Sequence, residues 1–398
     1  MTSAGERADL SATDSRALAS VAVQFFVNGA VFASFVPRLP EIRERLGLSL
    51  DELGVTLTIG AIIGLVASMA SPAIIHGLGT RRALIALVML MLVGLVIVGL
   101  ASTPVIFLIG FSAILMADGV VDVAMNLQGS WLSARRHVPV MNRLHGLWSL
   151  GTVAGGLVAA QAAASGVSLR TQLIVVAAAL AAALVFVGRG LLQVDEGGDE
   201  PDALDGVIPK RTRARWIMLI VLAVSGGFAL TVELVSSEWA AFRLSEDFGT
   251  SLGVAGLGFV AFSVGMTIGR LFGDAILVRL GDALLFRGAI VVSGTGLAVA
   301  AFAPHEFLVL LGYSIAGVGI SVFFPKLYDD AAKFPGRRGV ALTWLRSGSS
   351  LMSLVTPTAV GVLAASRLSV GAATAIVTLP CIAGFALLAL LAFRRPAS

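Results

Sequence analysis

The chain has 398 residues, of which 57% are hydrophobic and only 13% charged, and its mean hydropathy is +0.94. A soluble domain carries roughly 25% charged residues and keeps a polar skin even when large, so this composition excludes a soluble globular fold and leaves the bilayer as the solvent that suits it. A net charge of +4 would suggest nucleic acid in a soluble protein; here the placement of the charges carries the information, and no nucleic-acid partner is expected.

A spanning helix needs about 20 mostly apolar residues. The first 17 residues are polar and mixed in charge. The apolar run that follows reaches about Val36, longer than the hydrophobic region of a signal peptide, and is read as the first span. In chain order the runs fall at 18–38, 52–75, 82–101, 104–127, 142–164 and 171–191. A polar stretch with Asp195, Glu196, Asp199, Glu200, Lys210, Arg211 and Arg213 follows; it is too charged to cross lipid. Six more runs fall at 215–240, 252–276, 284–303, 306–328, 338–363 and 369–394. The expected fold is an all-α membrane protein of 12 transmembrane helices. Two six-helix bundles, 1–191 and 215–398, flank a cytoplasmic linker at 192–214.

Lys and Arg set the orientation. With both termini cytoplasmic, roughly 20 of the basic residues lie on the cytoplasmic side, including Arg81, Arg82, Arg135, Arg136, Arg394 and Arg395. Arg38, Arg43, Arg45, Arg170, Arg243 and Arg367 lie outside, and Arg270 and Arg346 fall within spans. An even helix number agrees. The expected location is the cytoplasmic membrane of the cell, multi-pass, as a monomer.

The halves also repeat. With a shift of 202 positions Leu46-Gly47-Leu48-Ser49-Leu50 falls on Phe248-Gly249-Thr250-Ser251-Leu252, and Leu78-Gly79 falls on Leu280-Gly281, without a gap. A parallel repeat of six spans is the arrangement of transporters that rock two bundles about a shared site.

On these motifs the chain resembles the major facilitator superfamily. Gly77-Leu78-Gly79-Thr80-Arg81-Arg82 is similar to the family's loop after the second helix, with His76 where the family has Asp; Gly269-Arg270-Leu271-Phe272-Gly273-Asp274 resembles its helix-eight motif. The resemblance implies that Gly79, Arg81, Arg82, Arg270 and Asp274 belong to a cytoplasmic gate. Asp122-Val123-Ala124-Met125-Asn126 and Leu144-His145-Gly146-Leu147-Trp148 resemble helices four and five of the fucose-permease-like branch and its bacterial relatives, whereas Val36 stands where that branch has a helix-one Asp. Helix four lines the central cavity in this family.

An ionisable residue inside a span is a functional hypothesis by default. Asp118, Asp122 and Asn126 are spaced i, i+4, i+8, on one helix face. Asp118 lies roughly 21 Å and Asp122 roughly 27 Å beyond Pro104 at the helical rise. Two carboxyls so placed suit uptake and release of a proton. His145 is a candidate neighbour of Asp122. Glu233, Glu238 and Trp239 form a second substrate or proton group on helix seven, with Arg38 as a candidate gate partner of Glu238. Arg270 and Asp274, four residues apart, are expected to pair with each other or with the gate. Arg346, about eight residues into helix eleven, needs an anion, either an acid from another helix or an anionic substrate.

These features describe a secondary active transporter of a small polar solute, sugar-like or another metabolite, coupled to protons by alternating access. The alternative is a proton-antiport exporter of drugs or metabolites, supported by Gly151-Thr152-Val153-Ala154-Gly155-Gly156, which partly matches the antiporter motif of helix five. No phosphate-binding loop with Lys or nucleophile elbow is present, so no enzyme activity is expected. The four histidines have no metal-ligand spacing and the single cysteine is Cys381, so neither metal nor cofactor is expected.

Overall fold

In the computed structural model, residues 4–136, 140–193, 213–334 and 338–393 are described. The described residues are almost entirely helical, and twelve helical segments are long and apolar enough to cross a membrane. The helices are α1 (Ala4–Ala33), α2 (Leu39–Leu46), α3 (Leu50–Ser68), α4 (Ser71–Leu78), α5 (Thr80–Leu100), α6 (Pro104–Arg136), α7 (Met141–Ala164) and α8 (Leu169–Gly190). After the linker, whose residues 194–212 lie outside the described ones, come α9 (Arg213–Glu238), α10 (Ala240–Phe248), α11 (Leu252–Leu280), α12 (Asp282–Phe302), α13 (Glu306–Ile320), α14 (Phe323–Ala332), α15 (Arg338–Ala364) and α16 (Val370–Phe393). Lipid offers no partner for backbone N–H and C=O groups, so each apolar run closes its own hydrogen bonds as a helix.

Three sequence runs are broken where a single span was expected. Pro72 sits in the first turn of α4 and divides 52–75 into α3 and α4. The run 306–328 breaks at Ser321, whose hydroxyl bonds the Val318 carbonyl, and continues as α14. The first run ends in a 3₁₀ turn at Val36–Arg38, beside Pro37, before the short α2.

The internal repeat is visible in the backbone. Helices α5 and α12 are both 21 residues long and begin 202 positions apart. Gly47 and Gly249 have φ of 65° and 63°, and Gly79 and Gly281 have φ of 74° and 76°. Each pair occupies a left-handed position that only glycine adopts at little cost, which explains why these glycines survive in both halves.

The chain divides into two compact units, Met1–Phe35 with Ile59–Asp199, and Val36–Thr58 with Glu200–Ser398. In the first, α1 packs on α7 and α8, and α5 on α6 and α8; in the second, α9 packs on α15 and α16, and α12 on α13 and α16. The same pairing pattern is thus used twice. The sequence assigned 36–58 to the first bundle, but the structure packs it with the second unit. Small residues allow this: a Cβ on Gly54 would lie 2.5 Å from the Pro357 carbonyl oxygen, and one on Gly361 would lie 2.6 Å from that of Leu50. Thr58 and Thr358 share a hydroxyl hydrogen bond of 2.8 Å, and Arg43 pairs with Glu246 at 2.8 Å.

Candidate functional site

The polar centre of the first unit is built where α1, α6 and α7 meet. Gly29 and Gly151 let α1 and α7 approach at backbone distance: a Cβ on Gly151 would lie 2.2 Å from the Phe26 carbonyl oxygen, the small-residue packing by which membrane helices associate. This contact delivers Trp148 to Asn28. The Trp148 indole Nε1–H donates to Asn28 Oδ1 at 2.9 Å, and Asn28 Nδ2 donates to Asp118 Oδ1 at 2.8 Å. One turn further along α6, Asn126 Nδ2 donates to the Asp122 carbonyl oxygen at 2.7 Å and to Asp122 Oδ1 at 3.1 Å.

The result is a chain of fixed polarity. Trp148 is a donor only, and Asn28 must therefore present its oxygen to the indole and its amide N–H to Asp118. Each bond to a charged acceptor contributes about 1.5–3 kcal/mol and each neutral one about 0.5–1.5 kcal/mol, enough to hold the carboxyl of Asp118 in one rotamer. Asn28 is itself 4% exposed, so the chain is anchored in the unit's interior. One turn before it, Gln24 is fully buried with both amide atoms lacking a hydrogen-bond partner among the described residues, so the inner face of α1 is polar over two successive turns. His145 is exposed, with its ring edge-on to Phe25 at 5.2 Å.

Of the expected residues, Asp118, Asp122 and Asn126 do share one face of α6. Asn28 and Trp148 were not singled out as site residues. Trp148 lies inside the quoted helix-five motif, and Asn28 is an uncharged polar residue in an apolar run, a signal that charge-based reading passes over.

In the second unit, Glu233 of α9 lies 3.8 Å from the Arg270 guanidinium of α11. The sequence paired Arg270 and Asp274 with each other or with the gate. The Asp274 side chain lies outside the described residues, and Arg270 is set against Glu233 on a neighbouring helix. Glu238 and Trp239 close α9. Among the described residues, Glu238 Oε2 and the fully buried Trp239 Nε1 have no hydrogen-bond partner, and the Trp239 ring rests on Phe242 at 5.2 Å. Arg38, expected as a gate partner of Glu238, is 3% exposed and pairs with Glu41 at 2.6 Å, one turn on, where the 3₁₀ turn that carries it runs directly into α2.

Of the expected gate residues, Arg81 is tied to the end of α8. Arg81 donates through Nε and Nη2 to the Gly188 carbonyl oxygen at 3.0 and 2.7 Å, a cation on the last turn of α8 where the helix dipole favours it. Gly79 makes the turn between α4 and α5, and Arg82 is exposed. Arg346 is exposed on α15. The described residues contain one acidic group with metal-ligand geometry, Asp282, Asp329 and Asp330. Lys326 reaches into it, with Nζ 3.1 Å from Asp282 and bonded to Asp330, so an ammonium already supplies the positive charge.

No protein-family model matches the chain. It is 27% identical over 316 residues to an uncharacterized MFS-type transporter of Yersinia pestis, covering 78% of this chain and 79% of that protein. Among solved structures it superposes on the nucleoside transporter NupG with a TM-score of 0.70 at 15% identity, covering 95% of this chain and 99% of that one. It also superposes on the Escherichia coli fucose:proton symporter FucP with a TM-score of 0.60 at 15% identity, covering 94% and 98%.

Proposed function

We propose that this chain, which is 27% identical to an MFS-type transporter and shares the fold of solved transporters, moves a small polar solute together with protons by alternating access. The bonded chain Trp148–Asn28–Asp118 supports this reading. It orients one carboxyl inside a spanning bundle and places a second, Asp122, one helical turn away on the same face. A carboxyl held by a neutral amide tolerates both protonation states, because Asn28 donates to either carboxyl form. An ionised structural partner would oppose neutralisation. The proteins whose fold it shares include a nucleoside transporter and a fucose:proton symporter, which supports a polar cargo and proton coupling. The proposed setting is the cytoplasmic membrane with both termini on the cytoplasmic side, as the basic residues indicate.

A thermal-shift screen of neutral and charged metabolites on purified protein selects solutes for uptake into proteoliposomes under an imposed pH gradient. The expected result is accumulation driven by the gradient in the wild type. Asp118→Asn is expected to retain solute exchange at equal concentrations but to lose gradient-driven accumulation. Accumulation by Asp118→Asn equal to the wild type would refute proton coupling at this residue, and accumulation in the opposite direction would favour the exporter.

A further inference from the structure

Helix α15 presents three different faces. On a helix of 3.6 residues per turn, Leu345, Gly348, Ser349 and Met352 form the first, which is pressed against α9. A Cβ on Gly348 would lie 1.8 Å from the Ala223 carbonyl oxygen, and Ser349 Oγ donates to the Gly226 carbonyl oxygen at 3.0 Å. Leu351, Val355 and Val362 form the second face, which is exposed and apolar, as a lipid-facing surface must be. The third lies opposite α9 and carries Thr343, Arg346, Ser347 and Ser350, the first three exposed and Ser350 half-buried. All four lie within the candidate span Val340–Ala364.

A face that is both exposed and polar inside a span cannot be solvated by hydrocarbon. The same helix offers an apolar face for lipid, so the polar one faces water. Arg346 lies about 12 Å into the helix from Arg338 at the helical rise. Among the described residues no carboxylate pairs with it, whereas Arg243 and Arg270 each have an acid within salt-bridge distance. Its guanidinium keeps its charge in any environment and offers a planar fork that fits a carboxylate or phosphate in two parallel hydrogen bonds. Ser347 and Ser350, one residue and one turn along the same face, add hydroxyl donors. We propose that Arg346 with Ser347 and Ser350 forms an anion-binding subsite on the solute path, so that the carried solute bears a carboxylate or phosphate group. This assignment rests on the transporter reading and narrows its substrate class.

The test needs no known substrate. In a Cys381→Ser background, Ser347→Cys, Ser350→Cys, Leu351→Cys and Val355→Cys are each reconstituted and treated with water-soluble methanethiosulfonates, one bearing a sulfonate and one a quaternary ammonium. Both serine positions are expected to react, and Leu351→Cys and Val355→Cys to resist. Adding Arg346→Gln is expected to lower the anionic-to-cationic rate ratio at Ser350→Cys about tenfold. That is the effect of a unit charge roughly 6 Å away on reagents of opposite sign in water. Inorganic phosphate or acetate is expected to slow the anionic reagent when Arg346 is present and not in Arg346→Gln, and the stronger of the two ions identifies the group recognised.

Protected serine positions would show Arg346 snorkelling along a lipid-covered face and would overturn the proposal. So would a rate ratio indifferent to Arg346, or labelling that neither ion slows. Size-exclusion profiles identify any variant that fails to fold, and the two serine positions serve as independent copies of the experiment. Thiol labelling does not depend on proton coupling, so this result is separable from that of the uptake assay.

Discussion

Replacing Asp247 with alanine is expected to destabilise the protein by about 3–5 kcal/mol, the cost of leaving one member of a buried ion pair without its partner. The Arg243–Asp247 pair is closed off from solvent, with side chains 7% and 11% exposed and 2.7 Å between Nη1 and Oδ2. Arg243 also donates to the carbonyl oxygens of Ala300 and Ala303 at 3.1 and 3.0 Å, where α12 ends, and its guanidinium lies 4.6 Å from the Phe248 ring centre. Asp247 in turn accepts from the backbone N–H groups of Val370 and Gly371 at 2.9 and 2.8 Å, where α16 begins. The pair therefore joins the end of one helix to the start of another through α10. Each orphaned N–H would cost about 1–3 kcal/mol if it stayed dry, but water entering the space left by the carboxylate answers part of that demand, so the terms overlap rather than add. At about 2–4 °C per kcal/mol for a unit of this size, the apparent unfolding midpoint in detergent should fall by about 6–20 °C. Arg243→Met alone should fall comparably, and the double variant should fall by clearly less than the sum, because the uncompensated charge is gone. A drop below about 2 °C for Asp247→Ala, or strict additivity in the double variant, would refute the reasoning.

Two further outcomes follow from the first unit. Asn28→Ala leaves the Trp148 indole N–H without its acceptor and Asp118 without its donor; it should cost about 1–3 kcal/mol and depress gradient-driven uptake, whereas Asn28→Asp, which sets a carboxyl against Asp118, should impair uptake more than stability. Equal uptake in all three proteins would show that the chain is only structural. Gln128 is fully buried and bonds Thr80 Oγ1 at 2.7 Å and both the N–H and the carbonyl of Leu192 at 3.0 and 3.2 Å. Gln128→Leu should therefore lower the unfolding midpoint by an amount equivalent to about 2–4 kcal/mol, and an unchanged midpoint would show that water replaces the amide.

Much of the architecture was legible because the bilayer makes it a local matter. An apolar run of sufficient length must close its own hydrogen bonds, so helix number and rough extent follow from composition along the chain. The turns followed too: Gly47 and Gly249, Gly79 and Gly281 stand 202 positions apart and adopt matching positive φ values, a requirement set within a few residues of each glycine. Pro72, which starts α4 and divides the run 52–75, is a local signal of the same kind that hydropathy alone passes over.

Partners were a different matter. Asn28 meets Asp118 across 90 positions and Trp148 across 120, and their meeting depends on how far α1 and α7 approach and how each is rotated about its axis. Arg270 meets Glu233 of another helix, a partner that no local spacing announces. Segment 36–58 follows the first span in the chain but packs with the second unit, through contacts such as Thr58 with Thr358. For Arg346 the sequence supplied the charge and its depth, and the structure supplied the direction: the rotation of α15 against α9 turns its serines and its guanidinium away from both the packed face and the apolar one. Helix formation is decided by hydrogen bonds four residues apart, whereas azimuth and approach are decided by side-chain volumes on neighbouring helices, and only the folded chain brings those volumes together.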